Sequence, residues 1–155
     1  MRLGVFGALL ALSITSALEA QTPAQQPLNL TCVGGGTASK PTYADIEGDG
    51  GSATITSRHD QHFDDQTDIR LFNGDDRIRL PRTMLPPLHG GSDGWFKLKN
   101  VKADVRTIRA NAAVNLMNNP KVYIDRVTGT ISISGRAGDY SGQCEAIDPN
   151  APTKF

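Results

Sequence analysis

The chain has 155 residues with sixteen basic and sixteen acidic side chains, so its formal net charge at pH 7 is zero. This neutrality argues against a general nucleic-acid-binding protein, which normally carries a clear positive excess. A chain of this length has room for one domain built around one hydrophobic core.

The N-terminal segment has the features of a secretory signal peptide. Arg2 supplies a positive charge, the apolar run 3–12 is too short to span a bilayer, and small residues follow. We expect cleavage after Ala20, with Ala17 as the alternative site, so that residues 1–20 are removed. The mature protein is then periplasmic or secreted and has no stable membrane insertion.

The expected mature chain begins with a polar, proline-containing linker at residues 21–27, followed by a single domain at 28–155. It contains two cysteines, Cys32 near its start and Cys144 near its end. Because exported proteins fold in an oxidising environment, we predict that these two cysteines form a structural disulfide.

The first half of the domain alternates apolar and polar residues with the period of half-buried strands. The segment 28–32 predicts a first strand, which we expect to end at the three glycines 34–36. The acidic segment 44–51 predicts a hairpin turn leading into a strand at 53–57. It also has the spacing of the first half of a calcium loop, but lacks the second half. A further strand is predicted at 63–72.

The middle of the domain begins with a hairpin turn at Asn73–Gly74–Asp75. A proline- and glycine-rich connection then leads to a strand at 95–101. The segment from Lys102 to Met117 is ambiguous, because its apolar residues fit both a helical stripe and strict alternation. We interpret it as a long strand, since its neighbours are strand-like.

The segment from Val122 to Cys144 predicts three short antiparallel strands, with a turn at Thr128–Gly129 and punctuation at Gly135 and Gly138. Together these patterns predict an all-β fold, a single antiparallel barrel or closed sandwich of about eight strands. The disulfide would join the first strand to the last.

The sequence IDRVTGTISISG, followed by YSGQC, resembles the terminal hairpin of small, uncharacterised exported proteins of proteobacteria. The resemblance covers about the last quarter of the chain and includes Arg126, Thr128 and Gly129. It implies export and β structure, and it carries no known activity.

Two places could carry chemistry or binding. His59 and His62 lie three residues apart beside Asp64, a set that could ligate zinc or copper on a turn but would diverge on an extended strand. His89, Trp95 and Phe96 lie around a proline- and glycine-rich loop, where a lone tryptophan can line a binding site.

Charge is unevenly distributed along the chain. Residues 45–77 contain nine acidic and three basic side chains, whereas residues 79–136 contain ten basic and three acidic ones. Such asymmetry can guide partner binding. We expect the simpler outcome, in which neighbouring strands use these charges in cross-strand ion pairs.

We therefore expect a non-catalytic exported protein with no cofactor and no nucleic-acid partner. It would bind a small apolar or amphipathic ligand, or an envelope protein, at the end carrying His89 and Trp95. The alternatives are a metal-dependent or hydrolytic enzyme using His59 and His62 with nearby aspartates, and an inhibitor of a secreted enzyme, which would need a protruding loop.

Overall fold

Alternating sequence patterns fold into eight antiparallel strands, each paired with the next along the chain, and the last pairs back with the first. The computed structural model describes residues 27–49, 51–72, 74–148 and 151–152. The expected signal segment 1–20 lies outside these residues, as does nearly all of the linker 21–27. The strands are β1 (Leu28–Gly48), β2 (Gly51–Leu71), β3 (Arg77–Arg79), β4 (Trp95–Ala103), β5 (Thr107–Ala112), β6 (Lys121–Asp125), β7 (Thr130–Gly135) and β8 (Gly138–Ile147).

The predicted all-β fold with a closed sheet is confirmed. The helical structure in the described part of the chain is a single 3₁₀ turn, Arg82–Met84, between β3 and β4. In that part of the chain, no helical segment has the length and apolar character that spanning a bilayer requires.

Three predicted boundaries are wrong. The strands predicted at 53–57 and 63–72 are parts of one continuous strand, β2. β1 does not end at the glycines 34–36 but continues through them to Gly48. The segment from Lys102 to Met117 is not one long strand. β4 continues to Ala103, a turn follows, and β5 covers only Thr107–Ala112. Asp104 makes that turn, because its carboxylate accepts hydrogen bonds from the backbone N–H groups of Arg106 and Thr107 at 2.8 and 2.7 Å.

The predicted disulfide is confirmed and lies in the seam that closes the barrel. Cys32 and Cys144 are directly opposite each other in the β1–β8 register, with their Cα atoms 3.9 Å apart. The Cys144 N–H donates to the Gly129 carbonyl oxygen at 2.7 Å, on the side away from β1. The cysteines therefore occupy a non-hydrogen-bonded pair, the position where facing side chains are closest.

The inward positions of all eight strands meet in one hydrophobic core. The pattern follows from alternation, because every second side chain of a closed sheet points inward. Among the largest fully buried residues are Tyr140, Phe96, Ile69, Ile78 and Ile108.

Gly36 marks the level at which the barrel ends and the first hairpin leaves it. In the strand register Gly36 lies between Phe63 of β2 and Tyr140 of β8. Because glycine has no side chain, the two rings reach each other across β1 and stack with their centroids 6.3 Å apart. The Tyr140 hydroxyl lies 3.0 Å from the Cys32 carbonyl oxygen and 3.1 Å from that of Asp65. Burial raises the pKa of Tyr140, so this hydroxyl keeps its proton and remains a donor.

Beyond this level the β1–β2 hairpin projects from the barrel as a two-stranded ribbon. The pairing of β1 with β8 stops at Ala38, and that of β2 with β3 covers only residues 68–70. Residues 39–60 therefore have only each other as neighbouring strands, and residues 41–49 and 51–60 are exposed. We call residues 39–60 the arm.

Removing the disulfide should weaken the fold strongly. The cysteines are 112 residues apart in sequence, and constraining an unfolded loop of that size contributes about 3–5 kcal/mol in the chain-entropy model. We expect the variant carrying both Cys32→Ser and Cys144→Ser to lose this much of its free energy of unfolding in guanidinium titrations. The unmodified protein measured with reductant serves as the control and should lose a similar amount. A loss below about 1 kcal/mol would contradict this account.

Gly36→Ala tests the packing at the base of the arm. An added Cβ would collide with the Asp139 carbonyl oxygen, so we expect the free energy of unfolding to fall by about 1–3 kcal/mol. Gly48→Ala is the matched control, since nothing lies within 4 Å of its added Cβ. Its effect in the same denaturation assay should stay within about 0.5 kcal/mol. Equal effects of the two substitutions would refute this role of Gly36.

Candidate functional site

The outer face of five neighbouring strands, β2 to β6, carries a continuous set of exposed basic side chains. These residues alternate with core residues, so their side chains point away from the barrel interior. They are Arg70, Arg77, Arg79, Lys97, Lys99, Lys102, Arg109 and Lys121. We call this set the basic wall.

The strand register places like charges opposite each other in the basic wall. Arg77 lies opposite Arg70 on one side and Lys97 on the other. Lys102 lies opposite Arg109. Since like charges that face each other across a sheet destabilise it, folding alone does not account for this arrangement.

A β-bulge in β4 brings Lys102 into the wall. Strict alternation would place Lys99 and Lys102 on opposite faces, because they are three residues apart. The register shifts between these two residues, and Asn100 has a left-handed backbone with φ of 54°. The extra residue returns Lys102 to the outer face.

Acidic residues neutralise little of the wall. Arg77 pairs with Asp75 at 2.9 Å and Arg79 lies 3.7 Å from Asp68. Within the described residues, no other ion pair involves the wall. The expectation that uneven charge would be absorbed by cross-strand ion pairs is therefore wrong for most of these cations.

Two more carboxylates near the wall are held by hydrogen bonds within their own turns. Backbone N–H groups of Arg106 and Thr107 lower the pKa of Asp104, and those of Thr128 and Val127 lower the pKa of Asp125. Both carboxylates are therefore charged at neutral pH and bonded within the turns that follow β4 and β6.

Two aromatic rings are set among the cations. The Arg70 guanidinium carbon lies 4.6 Å from the ring centroid of Trp95, and that of Arg109 lies 5.6 Å from the ring centroid of Tyr123. Both distances fit a cation–π contact. The wall thus offers positive charge together with flat apolar surface.

A surface groove of about 470 Å³ opens beside Trp95. Arg77, Lys97 and Asp75 line it with charge, while the half-buried Trp95 contributes aromatic surface. The glycine-rich loop forms part of its wall through Gly91 and Ser92. Its size and lining fit a small molecule that has both an anionic and an apolar part.

The three residues expected to form a binding end lie near one another but do not share one surface. Trp95 is half-buried on the outer face, whereas Phe96 points into the core and is 1% exposed. His89 is exposed and meets Phe96 edge-on, with the ring centroids 5.8 Å apart. Trp95 therefore belongs to the basic wall, while His89 lies against the loop that covers the core.

The two histidines of the metal hypothesis lie on opposite faces of β2. His59 Nδ1 is 2.7 Å from the Thr42 hydroxyl, and His62 Nδ1 is 3.3 Å from the Thr37 hydroxyl. Asp64 shares a face with His62, since the two are separated by an even number of residues on one strand. In the described part of the chain, no group of three His, Cys, Asp or Glu side chains is placed to hold a metal.

Sequence reasoning missed the basic wall, although a signal was present. Basic residues alternate with core residues in RIR, FKLK and IRA. In an up-and-down barrel, consecutive strands are neighbours, so these residues must collect on one outer face. The wall is predicted only when the alternation of basic and core residues is combined with the order of the strands around the barrel.

Comparison with protein-family models, curated proteins and solved structures gives no significant match to this chain.

Neutralising one cation of the wall should stabilise the fold. Lys97→Gln removes a like-charge pair with Arg77, so we expect the free energy of unfolding to rise by about 0.2–1 kcal/mol at low salt. Arg136→Gln, an exposed cation of the β7–β8 turn, is the control and should change stability less. Added salt should reduce the difference between the variants. Destabilisation by Lys97→Gln in urea titrations would show that the wall is not under repulsion.

Proposed function

We propose that this protein is an exported, non-catalytic binding protein whose basic wall takes an anionic, amphipathic ligand. The observation that carries the proposal is the row Arg70, Arg77 and Lys97, in which three cations face one another across three strands and one acid, Asp75, pairs with the middle cation. A ligand anion placed over this row would relieve the repulsion.

The groove beside Trp95 supports a ligand with an apolar part. A purely ionic ligand would need only the lysines and arginines, but here the cations border the half-buried ring of Trp95. Arg70 already lies over the Trp95 ring, which holds both groups in place before a ligand arrives. Such preorganisation reduces the entropic cost of binding.

The distribution of charge favours a small ligand over a long polyanion. The whole chain is neutral, and the arm carries acidic residues such as Asp45, Glu47 and Asp60. A polynucleotide tracking along the protein would meet these negative charges. A small amphiphile would meet only the wall.

Export is supported by the disulfide and by the N-terminal sequence. A bond between Cys32 and Cys144 fits an oxidising compartment. The apolar segment within residues 1–20 and the resemblance of the last quarter of the chain to exported proteins point the same way. We infer a periplasmic or secreted location.

The proposal can be tested with the intrinsic fluorescence of Trp95, which is the sole tryptophan of the sequence. Octyl phosphate, kept below its micellar concentration, should change the emission in a saturable manner. Octyl glucoside and inorganic phosphate, which each supply half of the expected chemistry, should bind at least about tenfold more weakly.

Substitutions then locate the site. Lys97→Gln should weaken octyl phosphate binding roughly tenfold, as expected for a lost hydrogen bond to a charged group. Arg136→Gln should leave binding unchanged. Equal responses to octyl phosphate and octyl glucoside, or equal effects of the two substitutions, would overturn the proposal.

A further inference from the structure

The arm lacks the support that a two-stranded ribbon normally needs. An isolated β-hairpin is at best marginally stable in water, yet residues 41–49 and 51–60 are exposed on both faces. Along the arm, the outer edges of β1 and β2 have no neighbouring strand among the described residues. Exposed edges of this kind commonly pair with or dock on another surface.

The end of the arm is amphipathic. Ala44 lies opposite Ile55 and Ile46 lies opposite Ala53, so four apolar side chains share one face. Ile46 and Ile55 are each 51% exposed. This face is continuous with the inward face of the barrel strands, and thus the core pattern continues where there is no core to receive it.

The same end of the arm is acidic. Asp45 and Glu47 project from the face opposite the isoleucines, and Asp49 lies at the turn. No lysine or arginine occurs between Thr42 and Ser57. Tyr43 lies on the same face as the two acids and is 66% exposed. This face therefore combines negative charge with an aromatic ring, which complements the cations and rings of the basic wall.

We propose that the acidic end of the arm of one copy docks on the basic wall of a second copy. Asp45 and Glu47 would meet cations such as Lys97 and Lys99, and Tyr43, which lies on the same face of the arm, would contact Trp95 or Tyr123. The inference concerns the same wall as the proposed ligand, but it does not require that ligand.

The dimensions of the two surfaces are compatible. Ten residues of each strand make the arm about 33 Å long at about 3.3 Å per residue. The five strands of the wall span about 19 Å, which is four interstrand spacings of about 4.8 Å. The arm can therefore cross the whole wall. In its own copy the arm end is exposed, so it is accessible to a second molecule.

The contact is heterologous, because arm and wall are different surfaces of one chain. Each copy has one of each. Two defective copies can therefore complement each other. A copy with an intact arm and a defective wall can still bind a copy with an intact wall and a defective arm.

Sedimentation velocity at 50 mM salt provides the test. The unmodified exported protein should self-associate, and 500 mM salt should weaken the association. The arm variant, Asp45→Asn with Glu47→Gln, and the wall variant, Lys97→Gln with Lys99→Gln, should each self-associate about tenfold more weakly. The control variant, Asp139→Asn with Glu145→Gln, changes two exposed acids of β8 and should behave like the unmodified protein.

Mixing the arm variant with the wall variant should give a one-to-one complex, since an intact arm then meets an intact wall. An unmodified protein that stays monomeric at low salt would overturn the proposal and leave the arm available to another partner, as an enzyme inhibitor requires. Self-association that survives in the wall variant would also overturn it, because arm would then pair with arm.

The two proposals fail separately. The arm variant keeps the whole wall, so it should bind octyl phosphate as the unmodified protein does even though it no longer self-associates. If neither the unmodified protein nor the arm variant binds octyl phosphate, while the arm and wall variants still form their one-to-one complex, only the ligand proposal is overturned. If the unmodified protein binds octyl phosphate but does not self-associate, only the proposed arm–wall contact is overturned.

Discussion

Pairing of β1 with β8 is the constraint on which the rest of the structure depends. Once the two end strands meet, every barrel strand has one face toward the interior and one toward solvent. Alternate side chains are thereby sorted into the core or onto the outer surface. The bond between Cys32 and Cys144 lies within this seam and fixes its register. The core and the basic wall are both consequences of the same closure.

The seam also determines where the arm begins. β1 has 21 residues and β8 only ten, so nearly half of β1, residues 39–48, extends past its closing partner. The glycine at the exit level is needed there because Phe63 and Tyr140 stack across it. Glycine usually weakens a strand, which is why residues 34–36 were interpreted as its end. The strand continues through these glycines because side chains of β2 and β8 pack against each other across β1. The local strand preference of glycine cannot reveal such a contact.

Sequence reasoning succeeded where a local pattern has only one interpretation. The three strands between Val122 and Cys144, the disulfide and the closed all-β fold follow from alternation and cysteine position. It failed where one sequence pattern is compatible with two different structures. Ala53 and Ile55 alternate as core residues do, yet they lie on the arm, in the exposed segment 51–60. The segment from Lys102 to Met117 was divided by a turn that depends on hydrogen bonds of Asp104, and apolar periodicity does not detect these bonds.

Zero net charge describes this protein incompletely, because opposite charges are separated in space rather than mixed. The acidic end of the arm and the basic wall each carry a local excess that pairwise contacts leave largely uncompensated. Repulsion within the wall and exposure of Ile46 and Ile55 both oppose stability, and the core does not benefit from either. The acidic face of the arm end and the basic wall complement each other in charge, so a contact between them would compensate both. Because both the wall and the arm end are exposed in a single copy, we propose that this contact forms between molecules.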